Sequence, residues 1–184
     1  MASNSRSTER ARCYRACDAR FPFLWTAADQ PPGRWHAAGE GPCHYLATSA
    51  KGAWAEVLRH EAITDVEDLV DLERAMWEVE GPLPTATPDL GEAVLTGGED
   101  SYPACQATAR VLRASGQLGL IAPSAAVHSG TAERMVVHPE DGVFTVELIT
   151  TSVVVLFANA ALVGMSVAEG RPELGILQDI RHLH

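Results

Sequence analysis

Short runs of apolar residues, separated by polar and glycine-rich stretches, predict a mixture of strands and helices in the first half of this chain. A short strand is expected at residues 12–16, and residues 27–42 carry so many glycines and prolines that they must form a loop. Residues 43–47 predict a second strand. A helix should follow over residues 49–62, capped by Thr48 or Ser49, because its apolar positions recur at helical spacing: Ala53, Trp54, Val57 and Leu58.

The middle of the chain continues this mixture. Residues 64–74 are acidic and predict a helix, and residues 75–80 predict a strand. Residues 81–101 predict a long connection, and a loop of this length in a small domain often serves as a lid over a site. The next helix is expected from Pro103 to Ser115, with a glycine just beyond its end.

The final third is rich in strand-forming residues. A short strand, GLIAPS, should stop at Pro123, and three further runs follow it: RMVVH, VFTVELIT and SVVVLF. Strands and helices do not alternate regularly along the chain, so a parallel βαβ architecture is not indicated. The predicted fold class is α+β, with one bent sheet as its core and helices beside it.

Composition and charge narrow the class of protein. The 184 residues are 46% hydrophobic, which suits a single compact domain. We expect a polar, disordered tail over residues 1–11 and one domain over residues 12–184. The tail lacks the apolar stretch of a secretory signal, and the longest apolar segment, 153–165, is too short for a bilayer. A cytoplasmic protein that binds no membrane is predicted, and a net charge of −10 argues against binding to nucleic acid.

Cysteine and histidine spacing predicts no metal site. No two of the four cysteines form a CxxC pair, and the seven histidines form no HExxH motif. Cys13, Cys17, Cys43 and Cys105 are therefore expected to be free and mostly buried thiols in a reducing compartment.

Several polar residues stand at intervals that suggest a shared site. Arg34, Tyr45 and Glu56 lie eleven residues apart each time, in the Gly/Pro loop, the second strand and the following helix. Each has an ordinary structural explanation on its own: a surface arginine, a core tyrosine and a solvated glutamate. Further candidates lie upstream and downstream of these three: Tyr14-Arg15, Trp35-His36, Gln106 and Pro123-Ser124.

Taken together, these residues resemble the RES domain family, named for its arginine, glutamate and serine. The family pattern is a Tyr-Arg pair, a GGRWN loop, a Tyr-Leu-Ala strand, a helix with a central glutamate, and a Pro-Ser pair at a strand end. This sequence supplies all five in order, over about residues 12–140. It departs from the pattern at Pro32, which replaces a glycine, at His36, which replaces the asparagine, and at Ala16, where some members have tyrosine.

The resemblance implies an enzyme that degrades NAD, on a fold similar to that of the ADP-ribosyltransferases. It implies catalytic roles for Glu56, Arg34 and Tyr45, and NAD contacts from Arg15, Arg34, Tyr45 and Ser124. Physical chemistry agrees with these roles. Arginine forks suit a pyrophosphate, an aromatic ring can stack on nicotinamide, and a carboxylate stabilises the oxocarbenium ion that forms when the N-glycosidic bond breaks. NAD is thus expected as a substrate, with no metal.

Three functions remain open at this stage. The first is an NAD-consuming toxin whose acceptor is water or inorganic phosphate, held in check by a small helical antitoxin. The second is an ADP-ribosyltransferase that modifies a protein side chain. The third is a RES-like binding module without activity, which the departures at Ala16, Pro32 and His36 would favour.

Overall fold

The structure is a computed structural model that describes residues 10–21, 23–24, 29–128, 132–137, 144–149, 151–157 and 162–182. It contains eight strands, four α-helices and two short 3-10 helices within those ranges. The strands are β1 Arg10–Cys17, β2 Cys43–Ala47, β3 Arg74–Pro82, β4 Gly119–Pro123, β5 Ala132–Val137, β6 Phe144–Ile149, β7 Ser152–Phe157 and β8 Val163–Gly170. The α-helices are α1 Ala50–His60, α2 Val66–Val70, α3 Glu92–Thr96 and α4 Tyr102–Ala114, and the 3-10 helices are Glu99–Ser101 and Leu174–Asp179.

Six strands form one antiparallel sheet in the order β4-β7-β2-β1-β3-β8, and β5 pairs with β6 in a separate hairpin. The α+β class predicted from the sequence is confirmed. The six-stranded sheet is the predicted sheet core, and the β5–β6 hairpin, which pairs only with itself among the described residues, is an addition to it. No helix in the described part of the chain is long and apolar enough to cross a membrane.

Most local signals before residue 63 are confirmed, although Arg10 and Ala11 of the predicted tail belong to β1. β1 begins at Arg10, two residues before the predicted strand, and residues 1–9 of the predicted tail lie outside the described residues. β2 has the predicted bounds. Of the two predicted caps, Ser49 is the one used: its hydroxyl accepts a hydrogen bond from the amide of Gly52 at 3.0 Å. The predicted loop 27–42 is confirmed over its described part, residues 29–42.

Three elements differ from the prediction. The connection 81–101 is not free of regular structure, since β3 runs into it and α3 lies within it. The acidic helix predicted over residues 64–74 shortens to α2, which has Leu69 as its one buried residue. β8 was missed, because its residues are mostly exposed and include Gly164, so its sequence lacks a clear strand pattern.

The two faces of the large sheet have different partners. Along β2, Cys43, Tyr45 and Ala47 point to the face that packs against the helices, and Leu46 points to the other face, as strand alternation requires. α1 packs on the helical face through Ala53, and α3 and α4 cover the part of it near β4 and β7. The candidate site therefore lies on this face, between α1 and the start of α4.

Candidate functional site

A cleft of about 640 Å³ opens on the helical face of the sheet. Its walls come from β1, the loop at residues 30–36, β2, α1 and the start of α4. This volume lies within the range typical of small-molecule sites. The cleft brings Arg34, Tyr45 and Glu56 together, and Ser124 lies directly behind Glu56. Arg34, Tyr45 and Glu56, which are equally spaced in the sequence, thus line the same cleft in the fold.

A tight turn at Gly33–His36 carries Arg34 into the cleft. The amide of Gly33 donates to the carbonyl of His36 at 2.9 Å, and the amide of His36 donates back at 3.3 Å. From α4, the Gln106 amide donates to both of these carbonyls, at 2.9 and 3.2 Å. Trp35 is buried, so the turn is fixed on its inner side as well. The sequence placed Gln106 on a helix but indicated no role for it. In the structure its side chain holds this turn through two hydrogen bonds.

The Tyr45 hydroxyl also hydrogen-bonds to this turn. It accepts a hydrogen bond from the amide of Trp35 at 2.9 Å and lies 2.8 Å from Nδ1 of His36. Burial raises the pKa of Tyr45, so the hydroxyl keeps its proton. Tyr45 thus contributes its ring to the cleft wall, while its hydroxyl holds the turn.

Arg34 is buried, and much of its guanidinium group is engaged by α3 and the segment that follows it. Nη1 donates to the Val94 carbonyl at 3.0 Å and to the Ser101 hydroxyl at 2.9 Å, and Nη2 donates to the Gly97 carbonyl at 2.6 Å. The guanidinium carbon lies 4.8 Å from the ring centre of Tyr102. The guanidinium also hydrogen-bonds the Cys105 side chain, and Arg34 lines the cleft.

Glu56 on α1 presents its carboxylate to the cleft. Its Oε1 accepts a hydrogen bond from the Ser124 hydroxyl at 2.9 Å, and Oε2 has no hydrogen-bond partner among the described residues. Burial is the largest influence on this group and raises the pKa of Glu56, while the Ser124 hydroxyl and the nearby Arg59 and Arg34 oppose that rise. The arrangement leaves one oxygen of this half-buried carboxylate available in the cleft.

Ser124 itself is 3% exposed, and it acts on the cleft through Glu56. Besides donating to Glu56, its hydroxyl accepts from the amide of Ala126 at 3.1 Å. Strand β4 ends at Pro123, and the chain turns there toward α1. A serine at this turn can therefore fix the carboxylate from behind.

Arg59, one turn along α1 from Glu56, was missed by the sequence analysis. It is 6% exposed, and its Nη1 donates to the carbonyls of Ala125 and Arg181, while Nη2 donates to that of Gly97 at 2.8 Å. The carbonyl of Gly97 thus accepts from both Arg34 and Arg59. A signal for Arg59 was present: it follows Ala55 by four residues, on the buried stripe of the helix.

Arg15 is not brought to Glu56. On β1, Tyr14 and Ala16 pack on the helical face, and Cys13 packs on the other face, so strand alternation directs the Arg15 side chain away from Tyr45. Burial lowers the pKa of Arg15, and its Nη1 has no hydrogen-bond partner among the described residues. Arg15 borders the cleft at the β1 edge, apart from the Glu56 cluster.

The departures from the family pattern fall around the same turn. Pro32 and His36 line the cleft, whereas Ala16 packs beside Tyr14 at its floor. The four cysteines are free, as expected, and three of them are buried. No group of three or more metal-ligating side chains occurs among the described residues.

Comparisons with known proteins place this geometry in a family. No curated protein matches the sequence. Among solved structures, the chain is similar to one in the crystal structure of the M. tuberculosis MbcT-MbcA toxin-antitoxin complex. The TM-score is 0.59 at 17% identity, and the alignment covers 93% of this chain and 88% of that one. The family model described as the RES domain matches residues 12–153, which is more than half of the chain. The chain therefore belongs to the RES domain family.

Proposed function

We propose that this protein breaks the bond between nicotinamide and ribose in NAD, with Glu56 as the central catalytic residue. The observation that carries the proposal is the Glu56 carboxylate, held by Ser124 inside the cleft, with one oxygen available and the arginines 34 and 59 nearby. When the glycosidic bond breaks, its electron pair leaves with nicotinamide, and the ribose carbon becomes positive. A carboxylate in a site of low water content stabilises that charge.

The other predicted residues support the substrate around this carboxylate. Arg34 brings a positive charge to the cleft for a pyrophosphate, and the ring of Tyr45 supplies a flat wall for nicotinamide. Ser124 acts through Glu56 in this proposal. Arg15 receives no substrate contact in this proposal, because strand alternation directs its side chain away from the face that carries Tyr45. In a protein of net charge −10, Arg34 and Arg59 supply the local positive field that an anionic substrate needs.

The acceptor decides the class of reaction. Water would give ADP-ribose, inorganic phosphate would give ADP-ribose carrying a new phosphate ester, and a protein side chain would give a modified protein. We favour water or phosphate, because Glu56 lies inside the cleft, which a small acceptor enters more readily than a side chain of a folded protein. We also propose that the protein is a cytoplasmic toxin restrained by a small helical antitoxin. This is supported by the structural likeness to a chain from a toxin-antitoxin complex.

The test is incubation of the purified chain with NAD, with and without phosphate, and with products identified by mass spectrometry. Release of free nicotinamide is expected, and the second product names the acceptor. Glu56→Gln keeps the shape of the side chain and removes its charge, so turnover should fall about 100-fold or more. A folded Glu56→Gln variant with normal turnover would remove Glu56 from the mechanism. No nicotinamide release by the wild type would favour a binding module.

Glu56→Gln also makes a prediction about stability. The pKa of Glu56 is raised in the folded protein, so the folded state binds this proton more tightly than the unfolded chain does. The carboxyl therefore costs stability as pH rises through its folded pKa. Glu56→Gln should unfold at an equal or higher temperature than the wild type at about pH 8, and this advantage should vanish near pH 4.

A further inference from the structure

His36 stands where the family pattern has asparagine, and its two ring nitrogens make different hydrogen bonds. Nε2 lies 2.9 Å from the carbonyl of Pro31, and Nδ1 lies 2.8 Å from the hydroxyl of Tyr45. A carbonyl can only accept, so Nε2 must carry the proton. In the neutral ring Nδ1 is then an acceptor, and the Tyr45 hydroxyl donates to it.

This assignment completes a directed chain of hydrogen bonds. The amide of Trp35 donates to the Tyr45 oxygen, Tyr45 donates to His36, and His36 donates to Pro31. His36 is 1% exposed, and the Cys43 thiol is a further neighbour of the Tyr45 hydroxyl. These hydrogen bonds connect the Gly33–His36 turn, which carries Arg34, to Tyr45 on strand β2. The bond between Tyr45 and His36 therefore helps to hold the turn that carries Arg34, together with the hydrogen bonds from Gln106.

We propose that His36 is a positioning residue, which binds the hydroxyl proton of Tyr45 and so holds the Gly33–His36 turn and Arg34 in place for the substrate. Asparagine cannot reproduce this arrangement. Its amide reaches the position of Nδ1 only, so it can bind the Tyr45 hydroxyl but has no atom that reaches the carbonyl of Pro31. With histidine at position 36, this protein therefore connects Tyr45 to Pro31 in the preceding loop as well as to the turn.

The surroundings of His36 keep the ring neutral. Burial lowers the pKa of His36, and the guanidinium of Arg113 acts in the same direction, while the Pro31 carbonyl and the carboxylate of Glu40 oppose it. Glu40 is itself bound to the amide of Ala37 and lies within 3.6 Å of Arg113, which limits its influence on the ring. Protonation at Nδ1 would remove the acceptor for the Tyr45 proton and reverse the central bond of the chain.

The first experiment needs no substrate. Nitrogen-detected NMR of the ¹⁵N-histidine-labelled full chain should show His36 with its proton on Nε2. Tyr45→Phe removes the proton that Nδ1 accepts, so the pKa of His36 should rise. The signals of the other histidines are the internal control and should titrate as before. A proton on Nδ1, or a titration unchanged by Tyr45→Phe, would overturn the proposal.

The second experiment uses two variants that separate the bonds, and it rests on the proposed NAD cleavage. In His36→Gln the side-chain amide lies near the position of Nε2, so the variant keeps the hydrogen bond to Pro31 and loses the one to Tyr45. In His36→Asn the amide lies near the position of Nδ1, so the variant keeps the hydrogen bond to Tyr45 and loses the one to Pro31. kcat/KM for NAD should fall about tenfold in His36→Gln, mainly through KM, because one hydrogen bond that orients Arg34 is lost. The loss should be smaller in His36→Asn.

Equal kcat/KM in the wild type and His36→Gln, or a larger loss in His36→Asn, would refute the positioning role. The two experiments also separate this inference from the proposed function. If NMR shows the expected proton position and the response to Tyr45→Phe, but the wild type releases no nicotinamide, then the hydrogen-bond anchor stands and NAD cleavage is rejected.

Discussion

Replacement of Ser124 by alanine tests the support of the catalytic carboxylate. The change deletes one oxygen atom at a 3% exposed position and leaves no large cavity. That oxygen donates to Glu56 at 2.9 Å and accepts from the amide of Ala126 at 3.1 Å. The variant therefore loses a bond to an ionisable group and leaves a buried amide without an acceptor.

The expected loss of stability follows from these two bonds. A hydrogen bond to a charged group contributes about 1.5–3 kcal/mol, and a buried donor left unsatisfied costs about 1–3 kcal/mol. Ser124→Ala should thus lower the free energy of unfolding by about 3 kcal/mol or more. For a protein of this size, each kcal/mol moves Tm by about 2–4 °C, so a fall of about 6–12 °C is expected.

Activity should respond through the charge on Glu56. Ser124 donates to the carboxylate and lowers the pKa of Glu56, so its removal raises that pKa further. The ionised carboxylate is the active form, which is lost as pH falls through the pKa. The acid limb of kcat/KM for nicotinamide release should therefore move to higher pH in the Ser124→Ala variant.

Ser115→Ala is the matched control, because this serine is exposed at the end of α4 and its hydroxyl bonds only the carbonyl of Leu112. Its stability should change by no more than about 0.5 kcal/mol, and its pH profile should not move. Thermal unfolding and pH-rate profiles of the two variants are compared side by side. The same Tm in both, with an unmoved acid limb in Ser124→Ala, would refute the support of Glu56 by Ser124.

Two further predictions concern the cleft walls. Arg59→Met removes hydrogen bonds to four carbonyls and should lower the free energy of unfolding by about 3–5 kcal/mol in chemical denaturation. Arg110→Met loses one exposed ion pair and should cost less than about 1 kcal/mol. Similar losses would show that Arg59 does not hold the walls together. Gly33→Ala places a Cβ 2.9 Å from the Tyr45 hydroxyl, so kcat/KM should fall and stability should drop by about 1–3 kcal/mol. Gly91→Ala meets nothing within 4 Å and should leave kcat/KM unchanged.

Local chemistry made part of the fold predictable from the sequence. The cap at Ser49 and the glycine after α4, Gly116 with φ +79°, mark helix ends through single residues, and both were recognised. α3 was missed because it has five residues and lies between glycines. Its only buried residue is Leu95, so its stability comes from contacts with α4 that no local pattern encodes.

The candidate site was predictable to a similar degree. The spacing of Arg34, Tyr45 and Glu56 identified residues that do meet in one cleft. The partner of each polar group was not predictable, because these partners lie far away in sequence: Ser124 is 68 residues from Glu56, and Gly97 is 63 residues from Arg34. Hydrogen bonds to backbone carbonyls leave no trace in residue identity, so the engagement of Arg34 and Arg59 required the structure.

The shared carbonyl of Gly97 has a consequence for ligand binding. An arginine side chain has about 2 kcal/mol of rotamer entropy, which a flexible arginine loses when it grips a ligand. Arg34 and Arg59 both donate to Gly97, at 2.6 and 2.8 Å, so their conformational freedom is already lost when the chain folds. An anion that enters the cleft therefore meets the guanidinium groups of Arg34 and Arg59 in an already ordered state. Folding thus absorbs an entropic cost that would otherwise weaken binding.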